Sequence, residues 1–410
     1  MIQAFPVLFG GMERPALDLN FAALKQLDPR VTFTRGSSGT FIGADGTVQT
    51  AGVNVPRFTH DPVSGASLGL LVEESRTNAF TYSAEFDNAA WSKSAVTANA
   101  NAAIAPDGTA SAEAVLEAAT TDAHQMTSTL GTSGSSASRT LSVFAKANGR
   151  SWLRLNLNDG TNRQAWFDVA NGIIGTTGSG VTAVITAFPN GWFRCAITTT
   201  STHVISVIAV SSADAVLSYA GNASLGLLLW GAQFEVGAFA TSYIATAAAS
   251  ATRAADVASM TGADFSSWYR QDEGTVQVDS DAAAIVTNAV LASIDDGTLN
   301  NRIEVRHAST GTNTTRSDIV AGGSVIMTSL PLVGAVSRRR AATAYAAAAS
   351  IGAGNGMLGA PLLGGVMPTG IDRLRIGVAT FGGQFNGTIA RLRYWRRRLP
   401  DSQLQTLTRL

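Results

Sequence analysis

The segment from Ser151 to Gly172 alternates apolar and polar residues on both sides of a turn. The turn, NDGTN, contains an Asp-Gly pair, which favours a tight reversal of the chain. The apolar set is Leu153, Leu155, Leu157, Phe167 and Val169. The polar and aromatic set between them is Trp152, Arg154, Asn156, Gln164, Trp166 and Asp168. Because successive side chains of a strand point to opposite faces, this period of two predicts an antiparallel hairpin with one buried and one outward face.

The register of this hairpin brings two indoles to the outward face. A pairing of Leu157 with Arg163 across the five-residue loop places Trp166 opposite Arg154, with Trp152 on the same side. Indoles stack on the apolar faces of sugar rings, while guanidinium, amide and carboxylate groups bond the hydroxyls. The whole polar and aromatic set is therefore our candidate glycan-binding site. The alternative is that a neighbouring subunit or the N-terminal residues cover both indoles.

The same kind of pattern predicts an all-β fold for the rest of the chain. Only 14% of the residues are charged and 45% are hydrophobic, which suits packed strands better than salt-bridged surface helices. A chain of 410 residues exceeds the size of a single core. We predict an extended β-rich N-terminal module (1–80) and two jelly-roll-like antiparallel β-sandwiches (81–255 and 256–410).

Local signals support individual elements of this division. Asp45-Gly46 separates two strand-like runs, and Pro56 and Pro62 favour edge positions for the strands around them. The run SLGLLLWGAQFEV is apolar on both faces at its centre, which predicts an interior strand. Residues 241–260 lose bulky side chains and read as a connector. The segment 399–410 predicts one short C-terminal helix, with Pro400 as its first residue and two buried leucines, Leu404 and Leu407.

No catalytic motif is visible, so we predict no enzyme activity and no catalytic residues. Two adjacent carboxylate pairs occur, Glu73/Glu74 and Asp295/Asp296. Neighbours on a strand point to opposite faces, however, so neither pair can flank one glycosidic bond. Cys195 is the single cysteine, which excludes an internal disulfide, and its alternating surroundings predict a buried apolar role.

No cofactor or metal site is predicted from a motif. Calcium is suggested only by the oxygen-rich DDGTLNN stretch, whose spacing matches no specific loop. No run approaches the roughly 20 apolar residues needed to cross a bilayer, so we expect no membrane insertion. The N-terminal residues do not resemble a signal peptide.

The charge distribution gives only weak hints of a partner. The net charge is zero, which does not favour nucleic acid. Residues 1–250 carry 13 basic and 17 acidic groups, whereas residues 251–410 carry 16 and 12. Two arginine triplets, Arg338–Arg340 and Arg396–Arg398, suit anionic polysaccharide or lipopolysaccharide phosphate. Solvated loops or subunit contacts are the plainer interpretation.

Several stretches resemble structural proteins of tailed bacteriophages. The stretch VTFTRGSSGTFIGADGTVQTAGVNVPRFTHDPVSGASLGLLVEESRTN is similar to a module that leads into carbohydrate-binding-module-like sandwiches in those proteins. FTYSAEFDNAAWSKSAVTANANAAIAPDGTASAEAV and LLLWGAQFEVGAFATSYIATAAASATRAAD resemble that sandwich. FNGTIARLRYWRRRLPDSQLQTL is similar to the end of concanavalin-A-like domains of phage fibres. One departure is Ala245, where the family often has Pro.

The resemblance implies a virion protein, a tail or head fibre or spike. It implies partners among other virion proteins and on host surface polysaccharide or lipopolysaccharide, and assembly as a homotrimer. Three alternatives stay open: a decoration protein without a ligand, a capsule depolymerase and a secreted lectin.

Overall fold

The computed structural model of the protein describes residues 13–129, 136–202, 205–283, 288–307, 314–334, 336–378 and 383–410. Residues up to Asn78 supply strands β1 (Leu17–Leu19), β2 (Thr32–Thr34), β3 (Gly39–Ile42), β4 (Val48–Ala51), β5 (Phe58–His60), β6 (Ser67–Val72) and β7 (Arg76–Asn78), with helix α1 (Phe21–Leu24). Alternating apolar and polar residues form most of these short strands.

The next part of the chain forms longer strands. They are β8 (Ser92–Ser94), β9 (Val96–Ala103), β10 (Ala112–Glu117), β11 (Thr121–Asp122), β12 (Gln125–Thr129), β13 (Ala137–Asn148), β14 (Trp152–Asn158), β15 (Asn162–Asp168), β16 (Ile173–Thr177), β17 (Val181–Ala187), β18 (Phe193–Ser201), β19 (Ile205–Ser211), β20 (Tyr219–Ala220) and β21 (Gly226–Val236). A short 3₁₀ turn, Pro189–Gly191, precedes β18.

The last part of the chain contains the remaining strands and two helices. The strands are β22 (Ala251–Arg253), β23 (Val257–Thr261), β24 (Glu273–Ala282), β25 (Val290–Asp295), β26 (Arg302–His307), β27 (Thr315–Ala321), β28 (Ser324–Ser329), β29 (Arg338–Ala346), β30 (Ala349–Gly354), β31 (Met357–Leu358), β32 (Leu362–Leu363), β33 (Arg373–Ile376) and β34 (Gly387–Trp395). The helices are α2 (Gly262–Ser266) and α3 (Asp401–Thr408).

A middle sandwich is formed by two antiparallel sheets in the described residues. Their strand orders are β17-β18-β13-β21-β10-β9 and β16-β15-β14-β19-β12-β8. Side chains from the inner faces of both sheets fill one apolar core, including Leu141 and Leu155. Cys195 is fully buried in that core, as predicted, and burial raises the pKa of its thiol well above the usual value.

A C-terminal sandwich is formed by a second pair of sheets. One has the order β31-β30-β29-β24-β34-β6-β5, with β1 also pairing with β34 and β32 with β30, and the other has the order β2-β23-β33-β25-β26-β27-β28. The all-β architecture of antiparallel sandwiches with a short C-terminal helix is therefore confirmed.

The first 80 residues supply strands to both sheets of the C-terminal sandwich. Strands β1 and β6 pair with β34, and β2 pairs with β23. Phe21, Phe33 and Leu70 lie in the same apolar core as the C-terminal strands. The hairpin of β3 and β4 instead packs against the middle sandwich, where Val48 joins a cluster with Trp192. The divisions near residues 80 and 255 stay a prediction about folding units.

Most of the local expectations are confirmed. Gly46 has a φ of 79° in the turn between β3 and β4, and β5, between Pro56 and Pro62, is an edge strand. The edge position is wrong for β6, which follows Pro62 and pairs with both β34 and β5. Strand β21 lies inside its sheet, between β13 and β10. Leu404 and Leu407 are residues of helix α3, and their side chains are buried. Pro400 is a correction: it is the cap residue before the helix, because its ψ of 150° is extended.

Candidate functional site

The predicted hairpin register is confirmed residue by residue. Strands β14 and β15 pair with Leu157 opposite Arg163 and Arg154 opposite Trp166. Leu153, Leu155 and Phe167 point into the middle core and are fully buried. The other side carries the predicted set, which we call the hairpin face: Trp152, Arg154, Asn156, Gln164, Trp166 and Asp168.

Arg154 lies at the centre of the hairpin face and is 7% exposed. Its Nη1 donates to Gln164 Oε1 at 3.3 Å and its Nη2 donates to Gln125 Oε1 at 2.7 Å. Burial lowers the pKa of the guanidinium, since removing the cation from water favours its neutral form. The cation is therefore held by two neutral amides.

The Trp152 ring is half-buried at one end of this face. A Cβ atom added to Gly175, in the edge strand β16, would lie 2.6 Å from Cζ3 of the indole. The absence of a side chain at this position thus makes room for the ring. Asp214 closes the same corner by accepting a hydrogen bond from the Thr176 backbone nitrogen at 2.8 Å.

Trp166, Asn156 and Asp168 are less accessible to a ligand than the sequence predicted. Trp166 is 3% exposed and its indole nitrogen donates to the Val216 carbonyl at 3.4 Å. The chain's own segment after β19 thus covers this indole. Asn156 is 2% exposed. Asp168 accepts hydrogen bonds from the Ala170 backbone and from the Asn171 amide, so its carboxylate orders a turn.

Gln125 is a member of the site that the sequence analysis missed. It lies on β12, which pairs with β19, and β19 pairs with β14. Its register places it in the same outward row as Arg154. The alternation around the buried Met126 could have identified the strand, but nothing local shows that β12 lies two strands away from β14.

A second cluster, the junction network, joins the N-terminal strands to both sandwiches. Its five charged residues are Arg35, Arg57, Glu73, Arg253 and Asp256. All five are less than 5% exposed. All five lie within the stretches 31–78 and 227–256 of the sequence.

Each charge of the junction network has an opposite charge nearby. Arg57 lies 2.7 Å from Glu73 and 2.5 Å from Asp256, and Arg35 lies 3.1 Å from Asp256. Glu73 also accepts hydrogen bonds from the backbone nitrogen and hydroxyl of Ser242, at 2.7 and 2.6 Å. Burial disfavours the Glu73 anion, but the charges of Arg253 and Arg57 outweigh it and lower its pKa to about 2.

The adjacent carboxylates have separate partners. Glu73 is part of the junction network, whereas Glu74 contacts Arg76. Asp295 is 3.2 Å from Arg375, and Asp296 accepts hydrogen bonds from Thr298 in a turn. In the described part of the chain, no group of three or more His, Cys, Asp and Glu side chains is placed to hold a metal ion.

The arginine triplets also have partners within the chain. Arg339 is 1% exposed, because alternation along β29 turns it inward between its two neighbours. Arg340 lies 3.4 Å from Asp279. In the second triplet, Arg397 lies 2.8 Å from Glu13 and Arg398 lies 2.5 Å from Asp401.

A polar pocket of about 300 Å³ lies on the outer face of the nine-stranded sheet of the C-terminal sandwich. Its lining includes Asp279, Asp281, Arg338 and Thr388. The described lining residues include no aromatic ring, so this pocket offers no stacking surface for a sugar. Helices in the described ranges are all too short or too polar to cross a membrane.

Comparisons with known proteins reveal only distant structural likeness. No family model and no curated protein matches the sequence. The CBM40 of the Ruminococcus gnavus IT-sialidase is 19% identical over 34% of this chain and 84% of that chain, with a TM-score of 0.30. Domain 4 of AbnA, a GH43 extracellular arabinanase from Geobacillus stearothermophilus, is 14% identical over 42% of this chain and 82% of that chain, also with a TM-score of 0.30. At these values neither likeness carries an argument about function.

Proposed function

We propose that this protein is a non-catalytic structural protein of a tailed-bacteriophage particle, a tail or head fibre or spike, which binds host-surface glycans through the hairpin face. The observation that carries the binding proposal is the outward row of that face. There the half-buried Trp152 ring, the Arg154 guanidinium and the amides of Gln125 and Gln164 lie side by side on one sheet surface. An aromatic surface beside convergent donors and acceptors suits a sugar ring.

The assignment to a phage particle is supported by the sequence resemblance and by what its motifs do. The motif residues Arg57, Glu73 and Asp256 meet at one buried junction, which fixes the middle sandwich to the N-terminal strands. A rigid attachment suits a display role on a particle. In a homotrimer, identical weak sites would gain strength by multivalency, since the copies raise the effective concentration of sites.

Binding without turnover is supported by the partners of the carboxylates. Glu73, Glu74 and Asp295 each lie within ion-pair distance of an arginine. Incubation with host polysaccharide should leave its chain length unchanged, and shortened chains would indicate a depolymerase instead.

A second candidate is a purely structural decoration protein. The observation that favours it is the burial of Trp166 and Asn156, at 3% and 2% exposure, because neither reaches a ligand without movement of its cover.

Binding of the purified protein to an array of bacterial surface polysaccharides separates the two candidates. We expect binding by the natural chain, and a loss of about three- to tenfold in affinity for Trp152→Ala, which removes the stacking surface. Ile173→Ala is the matched control, since Ile173 is an exposed apolar residue on β16, the edge strand of the same sheet. If the natural chain binds no glycan but is found in purified particles, the decoration role is correct.

A further inference from the structure

Arg154 is a nearly buried cation without an anionic partner. No described carboxylate lies within 4.0 Å of its guanidinium, and no described aromatic ring lies beneath it. Its recorded partners are the amide oxygens of Gln125 and Gln164. Removing a charge from water without an opposite charge costs several kcal/mol, so its position needs an explanation.

Other buried arginines of the chain are held differently. Arg57 lies between two carboxylates, and Arg306 contacts Glu304 and Asp318. Arg339 has main-chain carbonyls as acceptors, which cannot move away. The partners of Arg154 are the ends of flexible, half-buried glutamines. These amides can rotate, and after rotation their NH₂ groups would point to the space in front of the guanidinium.

A second polar group without a hydrogen-bond partner in the described residues lies on the hairpin face, two residues further along β14. The Asn156 amide donates to Asn162 Oδ1 at 2.9 Å, but its own Oδ1 is buried with no hydrogen-bond donor among the residues that the structure describes. Leaving a buried acceptor unpaired costs about 1–3 kcal/mol. The row therefore has surplus donors at Arg154 and an unpaired acceptor two residues away.

We propose that the hairpin face recognises acidic sugars, with the sugar carboxylate bound by Arg154. A neighbouring ring hydroxyl donates to Asn156 once the amide of Gln164, its cross-strand neighbour, has rotated away. This inference rests on the proposed glycan binding and adds its ligand class. The planar guanidinium matches a carboxylate with two parallel hydrogen bonds. The Trp152 ring borders the same row and contacts the sugar face. Rotation of the Gln125 and Gln164 amides opens the way to the guanidinium.

Calorimetric titration with matched acidic and neutral sugars tests the proposal. The probes are oligogalacturonate with its methyl ester, and sialyllactose with its methyl ester, because the members of each pair differ only in whether the carboxylate is free. The natural chain should bind at least one acid about tenfold or more tightly than its neutral partner, as expected for a charge-assisted pair. Arg154→Met should reduce that ratio to about one, and Arg154→Lys should leave an intermediate ratio because the fork is lost.

Arg163→Met is the control variant. Arg163 lies on the same hairpin, pairs with Asp159 and belongs to the opposite face, so this variant should keep the full preference for the acid. Thermal unfolding of each variant verifies that it is folded.

The outcomes separate this inference from the proposed function. Equal affinity for acidic and neutral sugars, a preference that survives in Arg154→Met, or array binding confined to glycans without a carboxylate overturns the acidic-sugar inference and leaves glycan binding intact. Absence of binding to every glycan of the array overturns both.

Discussion

The junction network and the hairpin face both bury arginines, but the partners of the cation differ. They are carboxylates at the junction and neutral amides on the hairpin face. At the junction, Arg57 is fully buried and touches two carboxylates. On the hairpin face, Arg154 is 7% exposed and touches two amides. The junction raises the pKa of Arg57 in spite of its burial, because Glu73 and Asp256 attract the cation, whereas burial lowers the pKa of Arg154.

The difference distinguishes a structural charge from a binding charge. A buried ion pair with both members in the chain holds together the segments that carry them. Removing one member destabilises the fold, because the other charge stays buried without compensation. A buried cation without a counterion in the chain can instead form an ion pair with an anionic ligand. On this basis we propose that the junction network holds the parts of the chain together and that the hairpin face binds a ligand.

The largest expected effect comes from Glu73→Gln, which removes one carboxylate from the junction. Arg57 and Arg253 would then lie near a neutral amide, and we expect the free energy of unfolding to fall by about 3–5 kcal/mol in urea denaturation at neutral pH. Glu74→Gln is the matched control, since Glu74 is next in sequence and its side chain is 35% exposed. Equal losses for the two variants would contradict the structural role of the network.

The next effect concerns Glu113, a buried carboxylate that has no lysine or arginine within ion-pair distance in the described part of the chain. It is 2% exposed, and burial together with the nearby Asp87 charge raises its pKa to about 7. The folded state therefore binds the proton more tightly than the unfolded state. Its favourable contribution is complete below pH 4.5 and declines as the pH rises to 7, by up to about 3 kcal/mol.

The contribution of Glu73 to the free energy of unfolding should depend on pH in the opposite direction. Its pKa is lowered to about 2, so its contribution is present above pH 4.5 and is lost as the pH falls towards 2. Urea denaturation from pH 3 to pH 8 measures both slopes. Glu113→Gln should remove the decline between pH 5 and pH 8, and an unchanged decline in this variant would assign it to another group.

A smaller effect is expected at the exposed pair of Asp18 and Arg391, which links β1 to β34. Their side chains are 36% and 28% exposed, and the closest atoms are 2.5 Å apart. Because solvent screens this pair, Asp18→Asn should cost at most about 1 kcal/mol of unfolding free energy, and less at high salt. If Asp18→Asn lowers the free energy of unfolding as much as Glu73→Gln does, burial is not what makes an ion pair important for stability.

Local alternation predicted the strands and the hairpin register but not the partners across the chain. The register of β14 with β15 follows from a period of two beside a short turn. Arg35 and Asp256 are 221 residues apart, and no local pattern indicates that they meet. The same limit applies to β6, which pairs with β34 and belongs to the C-terminal sandwich.

The candidate site was predicted only as far as its two strands extend. The outward direction of Arg154 and Trp166 follows from the register, whereas the burial of Trp166 depends on the loop that carries Val216. Loop paths depend on contacts that sequence periodicity does not encode. Gln125 was missed for a related reason, since it joins the row through the intervening strand β19.

The most direct test of these assignments compares Arg57→Met with Arg154→Met by urea denaturation under the same conditions. Both substitutions replace an arginine by an apolar side chain of similar length. We expect a loss of about 3–5 kcal/mol for Arg57→Met, because the buried Glu73 and Asp256 then keep only Arg253 and Arg35 as cationic neighbours. For Arg154→Met we expect a change within about 0.5 kcal/mol, or a slight gain. Similar losses for the two variants would contradict the division between a structural and a binding arginine.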